Sequence, residues 1–394
     1  MMDTSSGIFE NITADPLNTT HCPYTNLDPN SPTVLASQYI NKICSPVIWS
    51  IGFLGNLISM LIWMQKRMRH SSGYYLAALA LNDFLFLLLH ILYELEATWE
   101  VWVLSRPVVC EVYPVLYMMS QFLSPCLVLG FTTERYISIC HPFKRETYCT
   151  TRRAKIVIAC LTLLSFSINI INAYFFTLLP PITEDGLPNC GPRDDVLVGD
   201  KTSLFFLWNL FVEVIFFLVV PIIIGVLNGL VIREMRRLSK MEQAQQGASP
   251  RSSSTTVMLL AVAFYQVLTT FPVTVFMYIY NSSLTCNMQT SESENMELLR
   301  AIAFEYGYTH YAFNIFIYLI TGTVFRQQFK LMVLKPFSKL KSAISTDYSS
   351  LRTSFRGRTS TNSSWISSFR KGVWAGKHEE NEAKDKDPNA DTLL

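Results

Sequence analysis

The sequence predicts an all-α membrane protein, a seven-transmembrane helix bundle followed by a short amphipathic eighth helix. Three observations predict it. Seven apolar stretches each exceed the roughly 18 residues that cross a hydrocarbon core of about 30 Å. The connections after the first, third and fifth stretches are basic, whereas the connection at residues 182–202 holds two Lys/Arg against five acids. Such a bias places the basic connections in the cytoplasm and the amino terminus outside. Finally, only 16% of the 394 residues are charged, well below the roughly 25% of a soluble domain.

In order along the chain, residues 1–38 read as a disordered extracellular tail. Asn11 and Asn18 head glycosylation sequons there, meaningful if this end is outside. The tail lacks the apolar run of a cleaved secretory signal, so the first span is expected to act as its own signal-anchor. That span covers residues 40–64, contains Gly55-Asn56, and is followed at once by Lys66, Arg67 and Arg69. The second covers 73–97 and contains Leu79-Ala80-Leu81-Asn82-Asp83.

The third, from Cys110, carries a single charge, Glu111, before Glu134-Arg135-Tyr136, and closes with His141-Pro142. Arg152, Arg153 and Lys155 introduce the fourth, 154–178. The fifth is 203–232 with Pro221 inside; the sixth, 257–280, is uncharged and holds Pro272; the seventh, 298–321, ends in Asn314-Ile315-Phe316-Ile317-Tyr318. After Thr323, Phe325, Phe329 and Met332 oppose Arg326 and Lys330, the pattern of a helix lying in a membrane interface. The helical domain is thus expected over 39–335. Residues 336–394, rich in Ser, Thr and charge, are expected to be a disordered cytoplasmic tail. No internal repeat is visible.

These motifs resemble the rhodopsin-like (class A) G-protein-coupled receptors over roughly residues 40–335. The resemblance rests on Cys110 placed 25 before Arg135, Pro142 placed seven after it, Gly55-Asn56, the pattern ending in Asp83, Pro221, Pro272, and Asn314 to Tyr318. Phe143-Lys144-Arg145 and Leu268-Thr269-Thr270-Phe271-Pro272 look like invertebrate neuropeptide receptors, similar to FMRFamide-type and thyrotropin-releasing-hormone-type receptors.

The resemblance implies a disulfide between Cys110 and Cys190. Cys22 and Cys286 remain open for a second bridge. It implies a G-protein-coupling set of Glu134, Arg135, Tyr136, Pro142 and Tyr318, in which Arg135 pairs with Glu134 at rest and turns toward a G-protein tail when active. Many receptors place a further acid at the start of the sixth helix, where this chain has Arg251-Ser252-Ser253-Ser254. The restraint on Arg135 would be incomplete and basal activity measurable. Asp83, Ser124 and Asn314, with Asn56 beside them, match a sodium-binding cluster. Oxygen ligands suit a hard cation, and the alternative is a satisfied polar cluster with no ion. Sodium is the only cofactor implied.

The chain departs from the family where Trp, Phe and Tyr are common: Thr270, Gln266 and Gly229 stand there, and Ile315 replaces a Pro. The seventh span has no Lys for retinal attachment.

At the ligand end, Glu94, Glu96 and Glu100, with Glu184, Asp185, Asp194, Asp195, Asp200, Glu292, Glu294 and Glu297, form an acidic field. Such a field concentrates cationic ligands; alternatively these acids only solvate the surface. The family's cavity positions map onto Tyr117, Gln121, Glu213, Thr274, Met277, Glu305 and Glu94. Tyr117 stands where aminergic receptors carry their amine-binding Asp, which disfavours a monoamine; a basic or amidated peptide would answer the acids by charge-assisted hydrogen bonds.

Thr392 to Leu394 fits a PDZ-domain ligand, the Ser/Thr-rich tail a kinase and arrestin substrate, and Lys335, Lys339 and Lys341 anionic lipid. The expected protein is therefore a plasma-membrane receptor that promotes nucleotide exchange on a heterotrimeric G protein. It is no enzyme and binds no nucleic acid. The alternatives are an orphan chemosensory receptor for small cationic ligands and, from another class, a transporter or channel. Transporters often carry paired repeats and broken helices, and neither is visible here.

Overall fold

The computed structural model describes residues 28, 30–180, 186, 188–197, 202–246, 254–280 and 290–334. Its long helices belong to one compact unit, Met1–Met332; of the second unit, Val333–Leu394, only the first two residues are described. Asn11, Asn18, Cys22, Cys286, Thr392 and Leu394 lie outside the described residues, as do Glu184, Asp185 and Asp200.

Seven long helices are present among the described residues. They are α1 (Pro32–Trp63), α2 (Ser71–Ala97), α3 (Val109–Cys140), α4 (Thr151–Asn169), α5 (Leu204–Glu213, a π-helical turn Val214–Val219, then Val220–Gln246), α6 (Ser254–Tyr280) and α7 (Thr290–Thr321). A short α8 (Thr323–Phe329) ends in a second π-helical turn, Lys330–Leu334. Among the described residues, six of the long helices are apolar and long enough to cross a membrane. The remaining one, α7, has the length but carries Glu297, Arg300 and Glu305 in its first half. A helix with packed neighbours on several sides does not need to be apolar all round.

Several bounds differ from the sequence expectation. Helix α1 starts at Pro32, because proline suits a first helical turn whose amide hydrogen is unused. Residues 32–38 of the expected tail are therefore helical. The fourth helix stops at Asn169. A short turn of helix, Asn172–Phe175, follows, and Leu178 lies on a strand, β1 (Phe176–Leu179). This strand pairs antiparallel with β2 (Asn189–Pro192), setting Leu178 opposite Cys190. The apolar run continues across 176–179, so composition alone did not mark the helix end. Helix α5 runs on to Gln246 and α7 begins at Thr290, so Glu294 and Glu297 sit on a helix rather than in a loop.

Close helix contact depends on small residues, since lipid removes the hydrophobic drive between helices. A Cβ added at Gly52 of α1 would stand 3.2 Å from the Ala312 Cβ of α7. The buried core toward the Arg135 end comprises Leu76, Leu79, Leu127, Phe131, Met258, Tyr318 and Phe325. A second, aromatic core toward the disulfide end holds Phe86, Tyr113, Tyr117 and Tyr311.

Pro221 explains the π-helical turn. Its missing amide hydrogen leaves the Phe217 carbonyl without its intrahelical donor, and its ring would collide with that carbonyl in a regular helix. One wider turn relieves the crowding. The Thr274 hydroxyl of α6 lies within hydrogen-bond reach of the Phe217 carbonyl at 3.3 Å and of the Thr270 carbonyl of its own helix at 3.1 Å. Thr274 thus links α5 to α6.

Candidate functional site

Polar residues gather at three depths of the bundle. The first is the Arg135 end. Helix α3 brings Glu134 against the first turn of α2, where the Ser71 and Ser72 hydroxyls both donate to its carboxylate, Ser72 at 2.7 Å. Arg135 donates to the same Ser72 hydroxyl. Among the described residues no ion pair joins Glu134 to Arg135 directly. Consecutive residues diverge by about 100° around a helix, and Ser72 fills the gap between them. The expected direct pair is thus a pair bridged by a hydroxyl. Ser71 and Ser72 were not anticipated.

The cap itself is His70, whose Nδ1 accepts from the Gly73 amide at 2.9 Å. Burial lowers the His70 pKa from its ordinary 6.5, although backbone hydrogen bonding and nearby Glu134 oppose the shift. Tyr136 packs edge-on to His141 at 5.4 Å between ring centres. A cavity of about 350 Å³ lies beside them, lined by Tyr136, Cys140, His141, Leu230, Arg233, Glu234 and Arg237. Pro142 is exposed and opens a short helix, Pro142–Tyr148. Tyr318 is fully buried between Trp63 and Phe325, at 5.6 and 5.2 Å.

The second depth is mid-bundle. Asp83 is fully buried, and the Asn314 amide of α7 donates to its Oδ2 at 2.9 Å. Its Oδ1 has no hydrogen-bond partner among the described residues, with the Ser124 side chain alongside. Gln266 donates to the Ser124 hydroxyl at 3.4 Å, which ties α6 to the same cluster. Asn56 lies apart in function: its amide donates to the Tyr311 carbonyl at 2.6 Å and braces α1 on α7.

The third depth, below the Cys110–Cys190 disulfide, is aromatic. The Tyr117 hydroxyl lies 3.4 Å from that of Tyr308, and its ring packs against Phe86, Tyr93 and Tyr113. Gln121 is half-buried next to Tyr117. His90, not anticipated, accepts from the Trp49 indole at 3.0 Å and lies 3.6 Å from Glu94 one turn further on. Their i,i+4 spacing was the available signal. Met277 is half-buried on α6.

Five acids of the expected field have partners among the described residues. Glu96 accepts from the Leu104 and Ser105 amides at 2.5 and 3.2 Å and from the Ser105 hydroxyl. Thr98 donates to Glu94 at 2.5 Å, Ser31 to Glu294 at 2.6 Å, Tyr174 to Asp195 at 2.9 Å, and Arg300 to Glu297. Glu305 turns to α1, where Ser45 donates to its Oε1, because its helix face packs on α1; its Oε2 has no partner among the described residues. Half-buried Glu213, at the edge of the π-helical turn, makes no side-chain cap bond to that turn.

A seven-helix membrane bundle with a buried acid–arginine pair at one end and a disulfide-tied hairpin at the other defines a receptor class. The family described as 7 transmembrane receptor (rhodopsin family) matches residues 55–318. The chain belongs to that family. Among its relatives, the thyrotropin-releasing hormone receptor of Homo sapiens is 33% identical over 151 residues, covering 38% of this chain and 36% of that receptor. Neuromedin-U receptor 2 of Rattus norvegicus is 25% identical over 320 residues, 75% of this chain and 79% of that receptor. The FMRFamide receptor of Drosophila melanogaster is 27% identical over 232 residues, 55% and 41% respectively. The chain spans little more than a third of the length of the thyrotropin-releasing hormone receptors it matches.

Proposed function

We propose that this chain is a neuropeptide receptor of the plasma membrane that promotes nucleotide exchange on a heterotrimeric G protein. Its amino terminus faces outward and its Arg135 end the cytosol. The observation that carries the reading is the membership of the rhodopsin family together with relatives named for thyrotropin-releasing hormone, neuromedin U and FMRFamide. It is a receptor rather than an enzyme, transporter or channel.

The free carboxylate oxygens favour a basic or amidated peptide. Glu305 Oε2 and the Glu213 carboxylate are the groups left to receive a cation. Charge-assisted hydrogen bonds in a site shielded from water are about twice as strong as neutral ones. Tyr117, Gln121, Met277 and Glu94 would line the same cavity. A ligand acts only through its differential affinity for the active state.

The Asp83 Oδ1 atom and the Ser124 and Asn314 side chains fit a sodium ion, being buried oxygen donors around a carboxylate with an unused lone pair. Bound there, the ion would neutralise the carboxylate inside the bundle. The tail, with Thr392 and Leu394 at its end, is assigned to kinase, arrestin and PDZ partners, and Asn11 and Asn18 to glycosylation.

The test is a screen of basic and amidated peptides on cells expressing the full chain with a promiscuous G protein. A peptide-evoked calcium response that Arg135→Gln abolishes supports the reading. Substrate uptake or ion current with no nucleotide exchange overturns it.

A further inference from the structure

We propose that Ser72 is the positioning residue that restrains Arg135 at rest, a role otherwise given to an acid on the sixth helix. The proposal rests on Arg135 being the G-protein-coupling residue. Four observations carry it. Ser72 is 1% exposed, so its hydroxyl has no access to bulk water. That hydroxyl accepts from Arg135 and donates to Glu134 at 2.7 Å, making it the link between the two charges. Arg135 Nε has no hydrogen-bond partner, so loss of Ser72 would remove its one hydrogen bond among the described residues. Finally, α6 carries no Asp or Glu anywhere along Ser254–Tyr280.

A hydroxyl bridge differs from an ion pair in a useful way. It holds the guanidinium by a charge-assisted hydrogen bond while leaving the pair's charges separated, so release strands no unpaired carboxylate: Ser71 still donates to Glu134. The guanidinium can therefore leave Ser72 without unmaking the Glu134 site. Ser71 touches Glu134 and not Arg135, which separates restraint from mere support of the helix end.

The experiment is basal GTPγS incorporation into purified Gq and Gi heterotrimers by membranes bearing the full-length receptor, normalised to surface receptor. Ser72→Ala is expected to raise the basal rate about three- to tenfold, the equilibrium shift from one hydrogen bond to a charged group. Ser72→Thr, which keeps the hydroxyl, should match the parent. Ser71→Ala should change the rate less than twofold, and Arg135→Gln should silence all three backgrounds. Should Ser72→Ala fail to reach the surface, Ser72→Cys is read instead, since a thiol keeps the volume and bonds weakly. An unchanged basal rate in Ser72→Ala, or a Ser72→Thr rate as high as Ser72→Ala, overturns the proposal while leaving Arg135 in its role. Exchange that survives Arg135→Gln overturns the role of Arg135 itself, and the proposal with it.

Discussion

Asp83 and Glu134 are two buried carboxylates in one bundle, 0% and 9% exposed, and they are satisfied differently. Glu134 receives two hydroxyl donors from adjacent residues of one neighbouring helix. Asp83 receives one amide, from α7, at a sequence separation of 231 residues, and keeps a second oxygen without a hydrogen bond. The first is a local clasp between α2 and α3 that is complete as it stands. The second joins distant parts of the chain and has capacity for one more partner. Since an uncompensated buried charge is costly, the contrast leaves Glu134 satisfied where it stands and Asp83 with an oxygen still to be satisfied.

The largest effect should come from the completed clasp. Glu134→Ala strands the Ser71 and Ser72 hydroxyls and leaves Arg135 near no carboxylate, a loss of about 3 kcal/mol from the resting state. Thermal midpoint should fall and basal GTPγS incorporation rise. Glu134→Gln keeps an acceptor and should lose about half as much. Equal losses in the two variants would break the idea that hydroxyl acceptance, rather than charge, is what Glu134 supplies.

At Asp83 the opposite is expected. Asp83→Asn removes a charge that is only partly compensated, so the midpoint measured in choline chloride should hold or rise. The parent's midpoint should rise by the equivalent of about 1–2 kcal/mol on exchanging choline for sodium at saturation, and Asp83→Asn should not respond. A parent indifferent to sodium would remove the ion and leave a plain polar cluster.

Thr274 extends the comparison from carboxylates to a backbone carbonyl. Thr274→Val leaves the Phe217 carbonyl without a donor inside the membrane, and interhelical hydrogen bonds there are worth about 0.6 kcal/mol. A small drop in thermal midpoint with unchanged peptide potency is expected. Potency falling tenfold at an unchanged midpoint would return Thr274 to the ligand cavity.

The smallest effect is at the cap of α2, beside the Glu134 clasp. The folded state holds His70 neutral, its pKa lowered from 6.5 by burial, and Nδ1 accepts from Gly73. The unfolded chain therefore takes up the proton first as pH falls. Stability should be intact above pH 6.5 and decline below it, until the folded state protonates as well. Comparing midpoints at pH 7.5 and 5.5, the parent should lose more than His70→Asn, which caps without titrating. Identical losses would show that the cap bond contributes nothing.

Much of this was legible in the sequence. The apolar stretches marked seven helices, and the family resemblance correctly joined Cys110 to Cys190 and singled out Asp83 with Asn314. Other details were not legible, for identifiable reasons. Thr274 looked like a cavity residue because its spacing from Pro272 says nothing about the carbonyl that Pro221 frees on another helix. Glu305 carries no sequence sign that packing of α7 on α1 engages its Oε1 with Ser45 and leaves Oε2 without a partner among the described residues. The loop acids looked like a free field, whereas Ser105, Thr98, Ser31 and Tyr174 occupy several of them. The end of α4 was misplaced because apolar residues continue into β1.

By itself the sequence determined the number of long helices, the residues that carry charge within them, and the polar positions at each depth. These depend on length, composition and local period, all properties of a contiguous stretch. Tertiary structure alone decided which hydroxyl reaches Glu134, which oxygen of Asp83 stays without a hydrogen bond, and which carbonyl Thr274 serves. Those partners come from different helices, and a hydrogen bond forms only where packing brings two specific atoms within about 3 Å.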